Sequence, residues 1–338
     1  MPTLSIYIPS FEKKKTLHRL LDSLLKCTDE RFEIIILDDF SQDGTWESLF
    51  EVSDDRVKKY RNDRNLGAVS TWGRAISLCS GKWIFHLNDR DEINVHNISN
   101  FINFLDKIGD EYGVVFPQCE KKNRYFKPGQ QAFYRFAYCI CHPTGVVLKR
   151  DMINSIVNWQ NYYSYENYGM YPQGYLFAEA MNECGCILSV HFIWRETLST
   201  HKTCKNFWSG SSGKIESVNN RLYNDIECVK YNLKRNVIHI YSHSAWKRKW
   251  RILFVTYYKN LKFTTFGYSK DISDPDRARH YGLRRHKPTI RENFSRMIEM
   301  SMYTFGLLKG LHICDLLLIL FADFLWIIVY ASGNEKWQ

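Results

Sequence analysis

The sequence predicts an α/β domain on a mostly parallel, Rossmann-like sheet covered by helices on both faces, followed by a basic, largely helical C-terminal region. Three observations carry that expectation. Residues 3–8 and 32–38 ("FEIIILD") are near-continuous apolar runs, the pattern of strands buried on both faces. Between them Leu17, Leu20, Leu21, Leu24 and Leu25 recur at helical spacing and form one apolar stripe. The chain of 338 residues holds 46 Lys and Arg against 36 Asp and Glu, a net +10. Residues 231–338 hold 18 of those bases and 8 of the acids, so the whole excess lies there and residues 1–230 balance at 28 against 28.

The alternation continues after the second strand. "SQDGT" is a turn, 45–52 a short helix, 56–61 a strand, 67–79 a helix and Trp83–Leu87 the next strand. Strands alternating with helices at this spacing imply a parallel sheet, and ligands of such sheets bind at the carboxyl ends of the strands. Those ends carry Pro9-Ser10-Phe11-Glu12, Asp38-Asp39 and Asn88-Asp89-Arg90-Asp91. No Gly-x-Gly-x-x-Gly follows the first strand and no Walker sequence occurs anywhere, so dinucleotide and P-loop readings lose their main support. Asp89 and Asp91, at i and i+2 of an extended segment, point the same way and repel unless a cation offsets them. A hard ion such as Mg2+ or Mn2+ would do so, taking one or two carboxylates and completing its shell with water and ligand phosphates. Neutralisation by Arg90 and a second base is the other solution, and a turn-capping role suits Asp38 better than a ligand role.

In order and spacing, "LSIYIPSFEKKKTLHRLLDSLL", "FEIIILDDFSQDGT" and "NLGAVSTWGRAISLCSGKWIFHLNDRD" resemble the nucleotide-binding half of family-2 glycosyltransferases of the GT-A fold. The likeness is good over residues 3–92 and weaker to about residue 195. By that resemblance Pro9, Ser10, Phe11 and Glu12 line a nucleotide pocket, and Asp39 contacts the base, usually uracil. Asn65 and Gly67 form a turn beside the nucleotide. Asp89 and Asp91 are an Asp-x-Asp pair shared between ribose, Mn2+ or Mg2+, and the diphosphate. Many members read Leu-Asp-x-Asp-Asp, and a strict overlay puts Asn88 and Arg90 on two of those acids. The reaction implied is transfer of a sugar from a UDP-sugar to a hydroxyl of a glycan or lipid-linked glycan, with inversion, in surface polysaccharide or glycoconjugate synthesis.

Such a transfer needs one general base on the acceptor side, usually Asp or Glu. "HPTGVVLKRD" (142–151) resembles the strand before the acceptor site, but the helix that follows opens on Tyr-Pro-Gln (171–173) instead of an acid pair. Glu166, in the aromatic loop "YYSYENYGMY", is the candidate, with His142 and His191 as lesser ones. Glu179 and Glu183 have the spacing of a solvated helix face. The missing acid pair leaves a non-catalytic nucleotide-sugar-binding or scaffolding protein as the alternative.

The expected division is a catalytic domain over 1–210, with a nucleotide half (1–92) and an acceptor half (93–210), and a basic region over 211–338. In the latter, "WKRKWRILFVTYYKNLK" (246–262) sets an aromatic face against a basic one, as on a helix lying on an anionic membrane or packed in a core. Ile313–Tyr330 is apolar apart from Asp315 and Asp323. Its twelve Leu, Ile, Val and Phe residues gain about as much on membrane insertion as two aspartates cost, which favours an interfacial or packed helix over a span. No nucleic-acid module is recognisable, so no nucleic-acid partner is expected. No signal-peptide pattern follows Met1, and the ten scattered cysteines read as reduced thiols. "CICH" (139–142) and "CGC" (184–186) lack the Cys-x2-Cys spacing of a zinc site. A protein peripheral to the cytoplasmic face of a membrane is the resulting expectation.

Overall fold

The computed structural model describes residues 1–117, 122–129, 131–132, 144–164, 173–191, 193–195, 289–308 and 313–331, with scattered positions between 230 and 261. The chain divides into two compact units, residues 1–133 with 142–215, and residues 134–141 with 216–338.

The first unit opens β1 (Leu4–Ser10), α1 (Lys14–Leu24), β2 (Phe32–Asp38), α2 (Thr45–Ser48), β3 (Val57–Arg61), α3 (Ala68–Leu78) and β4 (Trp83–His86). These strands follow the apolar runs, because an unbroken Ile-Ile-Ile stretch must be covered on both sides. Leu4, Ile6 and Ile8 of β1 and Ile34 and Ile36 of β2 share one core with the leucine stripe of α1 and with Phe101, Ile102 and Leu105 of α4 (Ile98–Asp106). Residues of the opposite parity, Tyr7, Ile35 and Leu37, are equally buried on the face that α3 covers.

The remaining elements of this unit are β5 (Glu92–Ile93), β6 (Tyr112–Pro117), β7 (Arg124–Phe126), β8 (Val147–Lys149), α5 (Arg150–Ser155), α6 (Gln173–Glu183), β9 (Gly185–Ser189) and β10 (Trp194–Arg195). The eight-stranded sheet runs β3-β2-β1-β4-β8-β6-β9-β7, and β5 pairs with β10 in a separate ribbon. Pairing is parallel from β3 through β4, as the helix-strand alternation requires. Beyond β4 it becomes mixed. β8 runs antiparallel to both β4 and β6, and β9 pairs parallel with β6 but antiparallel with β7. The stretch between β6 and β7 is too short for the dozen or more residues that a parallel crossover needs.

In the second unit, α7 (Ile290–Leu308) packs on α8 (Ile313–Ala331). α7 begins with a capping box: Thr289 Oγ1 accepts the Glu292 N–H at 3.2 Å while the Glu292 carboxylate accepts the Thr289 N–H at 2.7 Å. Leu253, Tyr257 and Leu261 of the aromatic-basic segment are fully buried in this unit, whereas Trp250 is exposed.

Candidate active site

Three parallel strands, β2, β1 and β4, end side by side. Asp39 N–H donates to the Ser10 carbonyl at 2.8 Å, extending the β1–β2 ladder past both strands, and Glu12 N–H donates to Ser41 Oγ at 2.8 Å. Glu12 (φ 51°) and Phe40 (φ 66°) both lie in the left-handed region, where side chains other than glycine are strained by about 1–3 kcal/mol. Two such residues concentrate strain just past the adjacent ends of β1 and β2. Of the expected pocket residues, Pro9 and Phe11 are half-buried, Ser10 is buried and Glu12 is exposed.

Asp39 is buried and receives a converging set of donors. Its Oδ1 accepts from the Asn62 amide at 2.7 Å and the Leu66 N–H at 2.8 Å, and its Oδ2 accepts from the Gly67 N–H at 2.9 Å. Gly67 (φ 80°) caps α3 and also donates to Asn65 Oδ1 at 2.9 Å, so the turn expected beside the nucleotide is moulded around this carboxylate. An acid at the positive end of α3 is also favoured by the helix dipole. Asp38 does what a turn acid does. It accepts the Ser41 N–H at 3.1 Å and lies 3.2 Å from Arg61 Nε, while burial raises its pKa. Arg61 in turn stacks over Phe40 at 5.1 Å and Trp46 at 5.7 Å.

The Asp-x-Asp stretch leaves β4 as a clipped turn. Asp91 N–H donates to the Asn88 carbonyl at 3.1 Å, the Asn88 amide donates to Asp91 Oδ2 at 2.9 Å, and Arg19 of α1 donates to the Arg90 carbonyl at 2.9 Å. Asp89 Oδ2 accepts from Ser10 Oγ at 2.9 Å, which joins the ends of β1 and β4. Both acids are buried, Asp91 to 1% exposure. Burial raises the pKa of Asp89, while Arg90, Ser10 and Lys13 pull it down, so a base on either side partly offsets this charge. Among the described residues no group of three or more His, Cys, Asp or Glu could hold a metal. Two buried carboxylates are nonetheless the hard donor set that Mg2+ or Mn2+ takes when a diphosphate and water supply the rest.

On the acceptor side Glu166, His142 and the "CICH" stretch lie outside the described residues. Glu179 is half-buried beside the Tyr162 hydroxyl (3.4 Å), while Glu183 is exposed. His191 packs against Phe101 and Phe104, and burial lowers its pKa. The Cys184 thiol is pushed up to about 12 by burial, and Cys186 is fully buried. Asn62 and His86 had no part in the sequence-based site, and Asn88 entered it only as a mismatch to one of the family's acids. Asn62 and His86 bond to partners 23 and 79 positions away, Asp39 and Tyr7, so no local pattern announces them.

Hydrogen bonds through Ser10 thus join the ends of β1, β2 and β4, with Asp39 at the N-terminus of α3 and Asp89 and Asp91 just past β4, in an α/β sheet of the GT-A kind. Residues 5–170 match the family model of glycosyl transferase family 2, and that part of the chain belongs to the family. It is similar to a UDP-Glc:α-D-GlcNAc-diphosphoundecaprenol β-1,3-glucosyltransferase of Escherichia coli, 32% identical over 106 residues, covering 31% of this chain and 42% of that protein. It is also similar to a GalNAc(5)-diNAcBac-PP-undecaprenol β-1,3-glucosyltransferase of Campylobacter jejuni, 28% identical over 122 residues, covering 35% and 38%. The match therefore spans about two fifths of the length of these relatives. Among solved structures, residues 1–349 of TarS from S. aureus superpose with a TM-score of 0.59 at 16% identity, covering 91% of this chain and 81% of that one. That likeness establishes the fold.

Proposed function

We propose that the protein transfers a sugar from a UDP-sugar to a hydroxyl of a lipid-linked glycan, with inversion, at the cytoplasmic face of a membrane. The observation that carries this is the meeting of Ser10, Asp39, Asp89 and Asp91 at the ends of three adjacent strands. In support, the E. coli relative is named for a UDP-Glc donor and a diphosphoundecaprenol acceptor, and the S. aureus fold neighbour is also known in complex with UDP.

In this reading Asp39 receives the base, with its carboxylate plane already set by Asn62, Leu66 and Gly67. Pro9, Phe11 and Glu12 line the nucleotide, and Asn65 and Gly67 close over it. Asp89 and Asp91 hold Mn2+ or Mg2+, which supplies Lewis-acid stabilisation of the departing diphosphate. Glu166 takes the acceptor proton as the hydroxyl oxygen bonds to the anomeric carbon and the bond to UDP breaks. Residues 1–210 form the catalytic domain. Residues 211–338 dock on an anionic membrane, for which the outward apolar face of α8 is the supporting feature.

Calorimetric titration of UDP, with and without Mn2+, into the wild type and Asp91→Ala tests the donor site. Metal-enhanced binding that the substitution weakens severely is the expected result. Binding indifferent to both metal and Asp91, or confined to GDP, CMP or dTDP, would overturn the assignment.

A further inference from the structure

Behind the Asp-x-Asp turn lies a buried polar chain that the transfer reaction does not by itself explain. The Tyr7 hydroxyl is 3.0 Å from His86 Nδ1, His86 Nε2 is 3.1 Å from Asn88 Oδ1, and Asn88 Nδ2 is 2.9 Å from Asp91 Oδ2. All four residues are buried, with exposures of 5, 2, 7 and 1% in that order. Tyr7 and Trp72 also meet the imidazole edge-on, at 4.7 and 5.6 Å.

The direction of every bond follows from one end. The Asn88 amide turns its NH2 to Asp91 Oδ2 and its oxygen, which can only accept, to His86. His86 must then carry its proton on Nε2, which leaves Nδ1 as an acceptor for the Tyr7 hydroxyl. Burial pushes the Tyr7 pKa well above its ordinary value, and nearby Tyr163 and Cys79 add to this, so its hydroxyl keeps the proton it donates. Four buried polar groups are costly to assemble, and an apolar set of similar volume would stabilise the strand end at least as well. What the chain achieves is to fix the plane of the Asp91 carboxylate.

We infer that Asn88, held in one orientation by His86 and Tyr7, is a positioning residue that aims Asp91 at its ligand. This rests on the donor-site reading above. It also accounts for an asparagine and a histidine at the end of an otherwise apolar strand.

The test reads UDP affinity in EDTA and in Mn2+ for the full chain, its Asn88→Leu variant and its Tyr7→Phe variant. It adds nitrogen-15 spectra of His86 in the wild type and in Asp91→Ala. Outer-shell partners of this kind change metal-linked affinity by about 10–100-fold. Asn88→Leu should therefore cut the gain from Mn2+ by about that factor while leaving affinity in EDTA unchanged. Tyr7→Phe, which keeps the ring and loses one hydroxyl, should cut it less. The His86 proton should sit on Nε2 in the wild type and lose that preference in Asp91→Ala. A merely structural role would lower both affinities together, and that result overturns the inference. So does a His86 tautomer unmoved by Asp91→Ala. Failure of the donor-site reading shows separately, as a wild type whose UDP affinity does not respond to Mn2+.

Discussion

Glu33 is a charged residue inside the apolar run of β2, and its partners explain why it is tolerated. Its Oε1 accepts from Ser5 Oγ at 2.5 Å, Ser80 N–H at 2.7 Å and Ser80 Oγ at 2.8 Å, and its Oε2 accepts from Lys58 Nζ at 2.5 Å. Burial alone would raise its pKa, but Lys58 and the serines outweigh that and hold it below the usual carboxylate value. A depressed folded pKa adds stability above the unfolded value of about 4.3, and that stability is lost as pH falls through the folded value. Glu33→Gln should cost about 1.5–3 kcal/mol in urea unfolding at pH 7, as for a hydrogen bond to a charged group. Its deficit against the wild type should shrink below about pH 4. At the same scale, Asp39→Ala strands the Asn62, Leu66 and Gly67 donors. It should cost a similar 1.5–3 kcal/mol or so and abolish UDP binding, read by urea unfolding and calorimetry on one preparation.

Residues of this scale were unevenly legible. Asp39, Asp89 and Asp91 stood out because acids at strand ends are unusual and their spacing is recognisable. Ser10 was expected to line a pocket, but its bond to Asp89 spans 79 positions and no local pattern announces it. Asn88 looked like an imperfect match to an acid, yet its amide supplies the donor that an acid could not.

At the scale of elements, helix α3 shows propensity and packing in opposition. Gly73 lies mid-helix, where glycine costs about 1 kcal/mol relative to alanine. A Cβ there would come within 2.7 Å of Tyr163 Cβ and 2.8 Å of its ring, and Tyr163 is itself buried. Overpacking of a tight core typically costs about 1–3 kcal/mol, which exceeds or cancels the helical gain. Gly73→Ala should therefore leave the protein no more stable than the wild type, and as much as about 2 kcal/mol less so. A clear rise in melting temperature would show that Tyr163 yields freely.

Helix α8 makes the complementary point about charge. Asp323 is buried and accepts from Tyr257 Oη and Ser301 Oγ, each at 2.6 Å, and burial raises its pKa. An acid whose folded pKa is raised destabilises the fold once pH exceeds that value, and protonation restores stability as pH falls toward the unfolded value. Asparagine can still accept from Tyr257 without carrying a charge. Asp323→Asn should thus melt at or above the wild-type temperature at pH 7 and lose the wild type's gain between neutral pH and about 4. The sequence marks Asp323 as one of two acids in an otherwise apolar segment but does not say which way it faces. Tertiary contacts decide that, because Tyr257 and Ser301 offer the carboxylate partners that water would otherwise supply.

The whole molecule is divided in charge as well as in fold, with no net charge over residues 1–230 and all of the +10 beyond. The parallel half of the sheet was readable because each apolar run implies burial on two faces. The mixed half was less so: residues 142–151 read as a strand and hold β8, but a three-residue strand carries no trace of its antiparallel direction. The apolar surface of α8 has a similar origin. With Asp323, Ala322 and Trp326 turned inward, Ile313, Leu317, Leu320, Phe321, Phe324 and Ile328 form a continuous exposed stripe at 49–72% exposure. That inverts the arrangement of an ordinary surface helix. No helix among the described residues is long and apolar enough to cross a membrane. An apolar ridge within a strongly basic region is instead what an interfacial helix needs on anionic lipid. Each Lys or Arg near such a surface contributes about 1 kcal/mol, and the attraction fades as the screening length falls from about 10 Å at 0.1 M salt to about 3 Å at 1 M. The full chain should therefore float with phosphatidylglycerol vesicles at low salt, much less at 1 M or so, and little with phosphatidylcholine. Leu320→Glu with Phe324→Glu should abolish flotation while UDP affinity stays at the wild-type value. If the intact chain ignores anionic vesicles, or the double substitution floats as well as the wild type, the ridge does not dock on lipid. The proposed lipid-linked acceptor would then have to be drawn out to a protein that stays in solution.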